Sequence, residues 1–141
     1  MFDKILLPTD GSEFSEHEVE RAIKALSDDG EIIVLSVASK LEATTPFQRK
    51  KNIESLNEEF LKEAYENVDN MAKRFDGHVN VTKMVVVGTP ADTIVKIAED
   101  EDVDLIIISA SGKSGLHKFF IGSVAEKVLR KSNKDVLLIH N

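Results

Sequence analysis

The chain has 141 residues, of which 42% are hydrophobic and 30% charged; it has a net charge of −7 and no cysteine. The length suits one domain, residues 1–141, and no apolar run approaches the ~20 residues that cross a bilayer. The acidic balance argues against general nucleic-acid binding, and the missing thiols exclude disulfide, thiolate-metal and thiol chemistry.

From the N-terminus, "KILLPT" reads as a buried strand that stops at Pro8, Asp10, Gly11 and Ser12. The apolar run before Pro8 is too short for a secretion signal, so a cytoplasmic protein without membrane association is expected. Ser15 and Glu18 fit a capping box, Phe14 and Val19 a hydrophobic staple, and Val19, Ala22, Ile23 and Leu26 the stripe of the helix that follows. "EIIVLSVAS" is nearly continuously apolar, which predicts a strand buried on both faces of a parallel sheet.

After a polar loop, Ile53, Leu56, Phe60, Ala64, Val68, Met71 and Phe75 recur at steps of three or four, predicting a long amphipathic helix over about 50–75. "VNVTKMVVVG" is a third strand. Thr89 and Pro90 start a helix with Ile94, Val95 and Ala98 on its buried side. "VDLIIISA" is a fourth strand, Ser123 and Glu126 form a second possible capping box ahead of Val124, Val128 and Leu129, and "DVLLIH" is a fifth strand.

Strict alternation of strand and helix predicts an α/β fold with a parallel sheet covered by helices on both faces. Ligands of such sheets bind beyond the carboxyl ends of the strands where the strand order reverses. That directs attention to the loops after strands one and four, "PTDGS" and "SASGKSG".

The second loop ends in Gly112-Lys113-Ser114, but a Walker loop needs a further glycine where this chain has Ile107, inside a strand. A different spacing fits better: Gly112, nine residues, then Gly122-Ser123 opening a helix. Small residues let backbone amides approach an anion, and a helix N-terminus adds unpaired amides and partial positive charge. The same residues also fit a flexible turn followed by a helix that Ser123 caps for itself. Residues 105–134 carry six cations against the single acid Glu126, a local +5 that leaves −12 elsewhere. Either a local anion site or ordinary helix C-terminal cations accounts for it.

"ILLPTDGSEFS", "VVVGTPADTIVKIAEDEDVDLIIISASG" and "GLHKFFIGSVAEKVLRKSNKDVLLIH" resemble the universal stress protein family in order and spacing across nearly the whole chain. The resemblance implies a Rossmann-like open twisted five-stranded sheet of order 3-2-1-4-5, and a homodimer joined through the C-terminal strand, residues 135–140. It also implies an adenine-nucleotide site for ATP or AMP, with Mg2+ accompanying ATP. Carried over by position, Gly112, Gly122 and Ser123 would hold the phosphates, with an amide from Val124. Asp10, reached through Pro8 and Thr9, would contact the ribose, the Val37 backbone would read the adenine edge, and Ile108 would pack near the base.

The resemblance implies a Gly-x-x-Gly, nine residues, Gly-Ser/Thr motif for the nucleotide-binding branch of the family, and Ser109 stands where that motif has its first glycine. A strand-like backbone there would accommodate it and let its hydroxyl donate to the ligand, whereas a left-handed one would cost about 1–2 kcal/mol. The four histidines, His17, His78, His117 and His140, show no metal-ligand spacing, so no structural metal is expected. Asp10 is the one carboxylate placed at the pocket, and as a turn residue it has a plainer role open to it. Two function classes follow: a nucleotide-binding dimeric sensor or regulator of a stress response, and a dimeric interaction protein with a vestigial pocket. A slow ATPase is the weaker third.

Overall fold

The computed structural model describes residues 1–12, 15–42, 50–110 and 121–140. Five strands alternate with four helices: β1 Phe2–Pro8, α1 Ser15–Ala25, β2 Leu26–Ala38, α2 Lys50–Ala72, β3 Asn80–Val87, α3 Pro90–Asp100, β4 Leu105–Ser109, α4 Ser123–Lys131 and β5 Asp135–Ile139. They form one parallel sheet of order β3-β2-β1-β4-β5, as the alternation and the resemblance predicted.

Because side chains alternate across a strand, each central strand feeds two cores. Ile5, Leu7, Ile32, Val34, Leu105 and Ile107 pack on one face against Val19 and Ala22 of α1 and Val68 and Met71 of α2. Leu6, Ile33, Leu35, Ile106 and Ile108 pack on the other against Ala91, Ile94 and Ala98 of α3 and Ala125 and Val128 of α4. The chain changes faces between β1 and β4, where strand order reverses.

Some predicted stripe positions differ. Ile23, Leu56 and Leu129 are exposed, because each lies at the margin of a stripe already filled by its neighbours. Leu26 is buried as predicted but belongs to β2. The strand begins with Phe2 opposite Leu26 and resumes with Lys4 opposite Glu31, so five steps of β2 face two steps of β1. Gly30 permits this bulge: a Cβ there would press on the Leu26 side chain and fall 3.0 Å from the Asp3 carbonyl oxygen. Phe75 lies beyond α2 in a turn closed by Phe75 N–H to Ala72 O at 3.2 Å, and is still buried.

Ser123 does not cap α4. The cap is Gly122, Ser123 is the first helical residue, and Glu126 pairs with Arg130 one turn on. Phe14 of the predicted staple and the side chain of Ser15 lie outside the described residues, and Glu18 turns inward, as described below.

Candidate functional site

At the carboxyl end of the sheet, β1, β2 and β4 stop around a cavity of about 480 Å³. Nine of the ten predicted site residues line it: Pro8, Thr9, Asp10, Val37, Ile108, Ser109, Gly122, Ser123 and Val124. Gly112, together with Lys113, His117 and Lys118, lies outside the described residues. The volume is within the range of small-ligand sites, about 300–1,000 Å³.

The loop after β1 is a compact turn. Thr9 N–H reaches back to Leu35 O at 2.8 Å, Gly11 N–H is held by Thr9 Oγ1, and Asp10 Oδ1 accepts Ser12 N–H at 2.9 Å. Gly11 has φ +80°, a left-handed value that favours glycine, and a Cβ there would fall 2.5 Å from Asn67 Oδ1 on the cavity wall. Asp10 therefore has the plainer turn role as well as its place at the cavity.

β2 offers backbone. In a parallel strand, residues two apart point their N–H and C=O to the same neighbour. The Leu35 carbonyl serves Thr9 on the β1 side, while that of Ala38 serves Gly88 on the β3 side. The backbone groups of Val37 thus face the β1 side, beyond the last β1 residue that pairs with β2.

α4 offers its N-terminus. Gly122 N–H donates to Ala110 O at 2.6 Å, fastening the helix start to the end of β4. The Gly122 amide is thereby committed, and the first intrahelical bond is Glu126 N–H to Gly122 O. Ser123, Val124 and Ala125 have amides with no acceptor one turn earlier in the helix, the arrangement that favours an anion. Ser109 ends β4 and is not among the positive-φ residues, so its Cβ carries no left-handed strain.

The sequence reading missed Glu18. This carboxyl is only 3% exposed and lines the cavity. Burial, reinforced by the neighbouring Asp10 charge, pushes its pKa from 4.5 up to about 8, against a hydrogen bond from the Ser109 backbone that lowers it. The geometry explains that bond. Ala110 N–H faces β5, bonded to Ile139 O, so Ser109 N–H one residue earlier faces the β1 side of the crevice. The signal was in the sequence: Glu18 lies one turn before Ala22, on the apolar stripe of α1, where an acid needs an explanation.

Phe60, Glu63, Ala64 and Asn67 of α2, Pro90 and Ile94 of α3, and buried Ser36 also line the cavity. Its wall therefore carries three acids, Asp10, Glu18 and Glu63, and no lysine, arginine or histidine among the described residues. The described cations of the basic stretch lie outside the cavity wall. Arg130 pairs with Glu126, Lys131 with Asp92 at 3.0 Å and Lys134 with Asp102 at 2.9 Å, so these cations brace the surface by ordinary ion pairs. No described helix is long and apolar enough to cross a membrane, and no group of three or more metal-ligating side chains occurs among the described residues.

The sequence model of the Universal stress protein family matches residues 1–140. Universal stress protein MJ0577 of Methanocaldococcus jannaschii is 39% identical, over 99% of this chain and 95% of its own length. A universal stress protein of Methanothermobacter thermautotrophicus is 37% identical, over 92% of this chain and 89% of its own. The solved structure of MJ0577 superposes with a TM-score of 0.77 over 99% of this chain and 96% of that one, at 38% identity. A universal stress protein solved in complex with cAMP superposes at 0.61 with 26% identity, covering 99% of this chain and 97% of its own.

Proposed function

Since the chain belongs to the universal stress protein family, we propose that its cavity binds an adenine nucleotide, ATP or AMP, and that the protein acts as a nucleotide-responsive regulator. The observation that carries this reading is the meeting of two unlike ligand-binding surfaces in one cavity. The wall brings apolar Leu35, Ile94 and Ile108 and the outward-facing backbone of Val37 together with the N-terminus of α4. A flat base with a hydrogen-bonding edge suits the first, and a phosphate suits the second. The cAMP complex of a 26% identical protein supports the same ligand class.

In this reading Ile108 packs near the base, Asp10 contacts the ribose, and Ser123 and Val124 hold phosphate through their amides, with Gly112 contributing from the preceding loop. Gly122 acts by having no side chain where α4 meets β4, rather than through its committed amide. Mg2+ accompanying ATP would offset charge in a wall that carries three acids. The same acids favour the second reading, a dimeric interaction protein whose pocket is vestigial.

The deciding experiment is to denature the purified protein, identify any released nucleotide, and titrate the stripped protein with Mg·ATP and with AMP by calorimetry. Released nucleotide near one per chain, or a saturable titration, is expected. An empty protein that binds neither at millimolar concentration would replace this reading with the second.

Both readings place a homodimer at β5, an edge strand whose Val136, Leu137 and Leu138 are only half-buried within one chain. Unpaired edges of this kind are usually covered. Light scattering at micromolar protein should give twice the chain mass of 15.6 kDa. A monomer at that concentration would count against the β5 interface.

A further inference from the structure

Glu18 belongs neither to the packing of α1 nor to the anion-binding features described above. It reaches from α1 into the crevice between the ends of β1 and β4, takes the Ser109 backbone hydrogen bond, and shares the wall with Asp10. A carboxylate in that place would face both a second acid and any phosphate drawn to α4. A carboxylic acid there would instead have a proton to donate to a ligand oxygen.

We propose that Glu18 is a ligand-contacting residue of this cavity, and that a phosphate-bearing ligand binds with Glu18 in its protonated form, so that affinity is linked to pH. The inference rests on the nucleotide reading above and adds the regulation of that site.

Burial first, and the Asp10 charge second, keep the proton on Glu18 up to about pH 8. Among the described residues, the surrounding titratable groups do not supply a cation to reverse this. Asp10 from the β1 loop and Glu63 from α2 are acids, and the stretches of β2, β4 and the first turn of α4 that line the cavity bring no charged side chain. On α1 itself His17, Glu20 and Arg21 are exposed, and Glu20 is engaged by Lys24. Above the pKa, ligand binding must draw a proton from solvent, and affinity falls by up to about tenfold per pH unit.

The test is the affinity for Mg·ATP and AMP between pH 7 and 9.5 in the wild-type chain, Glu18→Gln and Glu18→Ala. The wild type should weaken by roughly tenfold or more across that range, while each variant, whatever its affinity at pH 7, should show a slope set by the ligand alone. Calorimetry at pH 8.5 in buffers of different ionisation enthalpy should report proton uptake by the wild type that both variants lack. Two variants guard against one failing to fold. Saturable binding with the same pH slope and proton uptake in all three would overturn the role of Glu18 and leave the nucleotide reading standing. No saturation by the wild type at any pH would overturn the nucleotide reading, and this inference with it.

Discussion

Replacing Gly122 by valine is expected to lower the affinity for Mg·ATP or AMP by at least ~100-fold, about 2.8 kcal/mol, while leaving the protein folded. Gly122 is buried, lines the cavity and stands immediately before the amides of Ser123 and Val124. In the nucleotide reading, a branched side chain beside those amides would crowd a phosphate seated on them. The two charge-assisted hydrogen bonds put at risk contribute about 1.5–3 kcal/mol each, so the loss follows even if one is partly kept.

The fold should survive because φ −62° and ψ 155° at Gly122 form an extended conformation open to any residue, including a β-branched one. Its N–H can still reach Ala110. Valine is a poorer helix cap than glycine, so a loss of about 1 kcal/mol, a few degrees in Tm, is expected. Calorimetric titration beside thermal unfolding separates the two effects. Wild-type-like saturation in a folded Gly122→Val would remove the α4 N-terminus as the phosphate site.

The second large effect concerns stability without ligand. The folded pKa of Glu18 is raised, so the native state holds a proton that the unfolded chain releases above about pH 4.5. Stability is therefore fully present below pH 4.5, declines as pH rises, and has lost the whole contribution above about pH 8. The gap corresponds to a penalty on the order of 5 kcal/mol at alkaline pH, and the near-complete burial of Glu18 leaves little solvent to screen it. Glutamine has no proton to lose. Urea unfolding at pH 5, 7 and 9 should show Glu18→Gln gaining on the wild type by several kcal/mol between the first and the last. A difference between the two that stays constant across those three pH values would show that Glu18 has an ordinary pKa.

The parallel sheet and its two helical layers were legible because they depend on long apolar runs and on alternation, whereas the strand order came from the family resemblance alone. "EIIVLSVAS" could be nothing but a strand covered on both sides, and the pivot between β1 and β4 follows from the sheet order. The residues carried over from the resemblance, Val37, Ile108 and Gly122 among them, line one cavity. Local side-chain roles were harder to read. Ser123 followed by Glu126 has the spacing of a capping box, but the bond from Gly122 to Ala110 shifts the cap by one residue. Glu18 likewise matched a local motif, and only the tertiary meeting of α1 with the end of β4 shows that it answers a strand amide. The β2 bulge was hidden because Leu26 continues the helical period of α1 while pairing with Phe2.

The two cores lie on opposite faces and communicate through the sheet between them. Around the cavity they come into reach of one another directly: Glu18, Phe60 and Asn67 arrive from one layer, Ile94 and Val124 from the other. A molecule seated there is a cross-brace. It ties α1 and α2 to α3 and α4 without passing through a strand, and it makes local opening of either layer break contacts with the same guest. Occupancy could then be felt on the outer surface of α2, remote from the phosphates, as a change in stiffness with no change in shape.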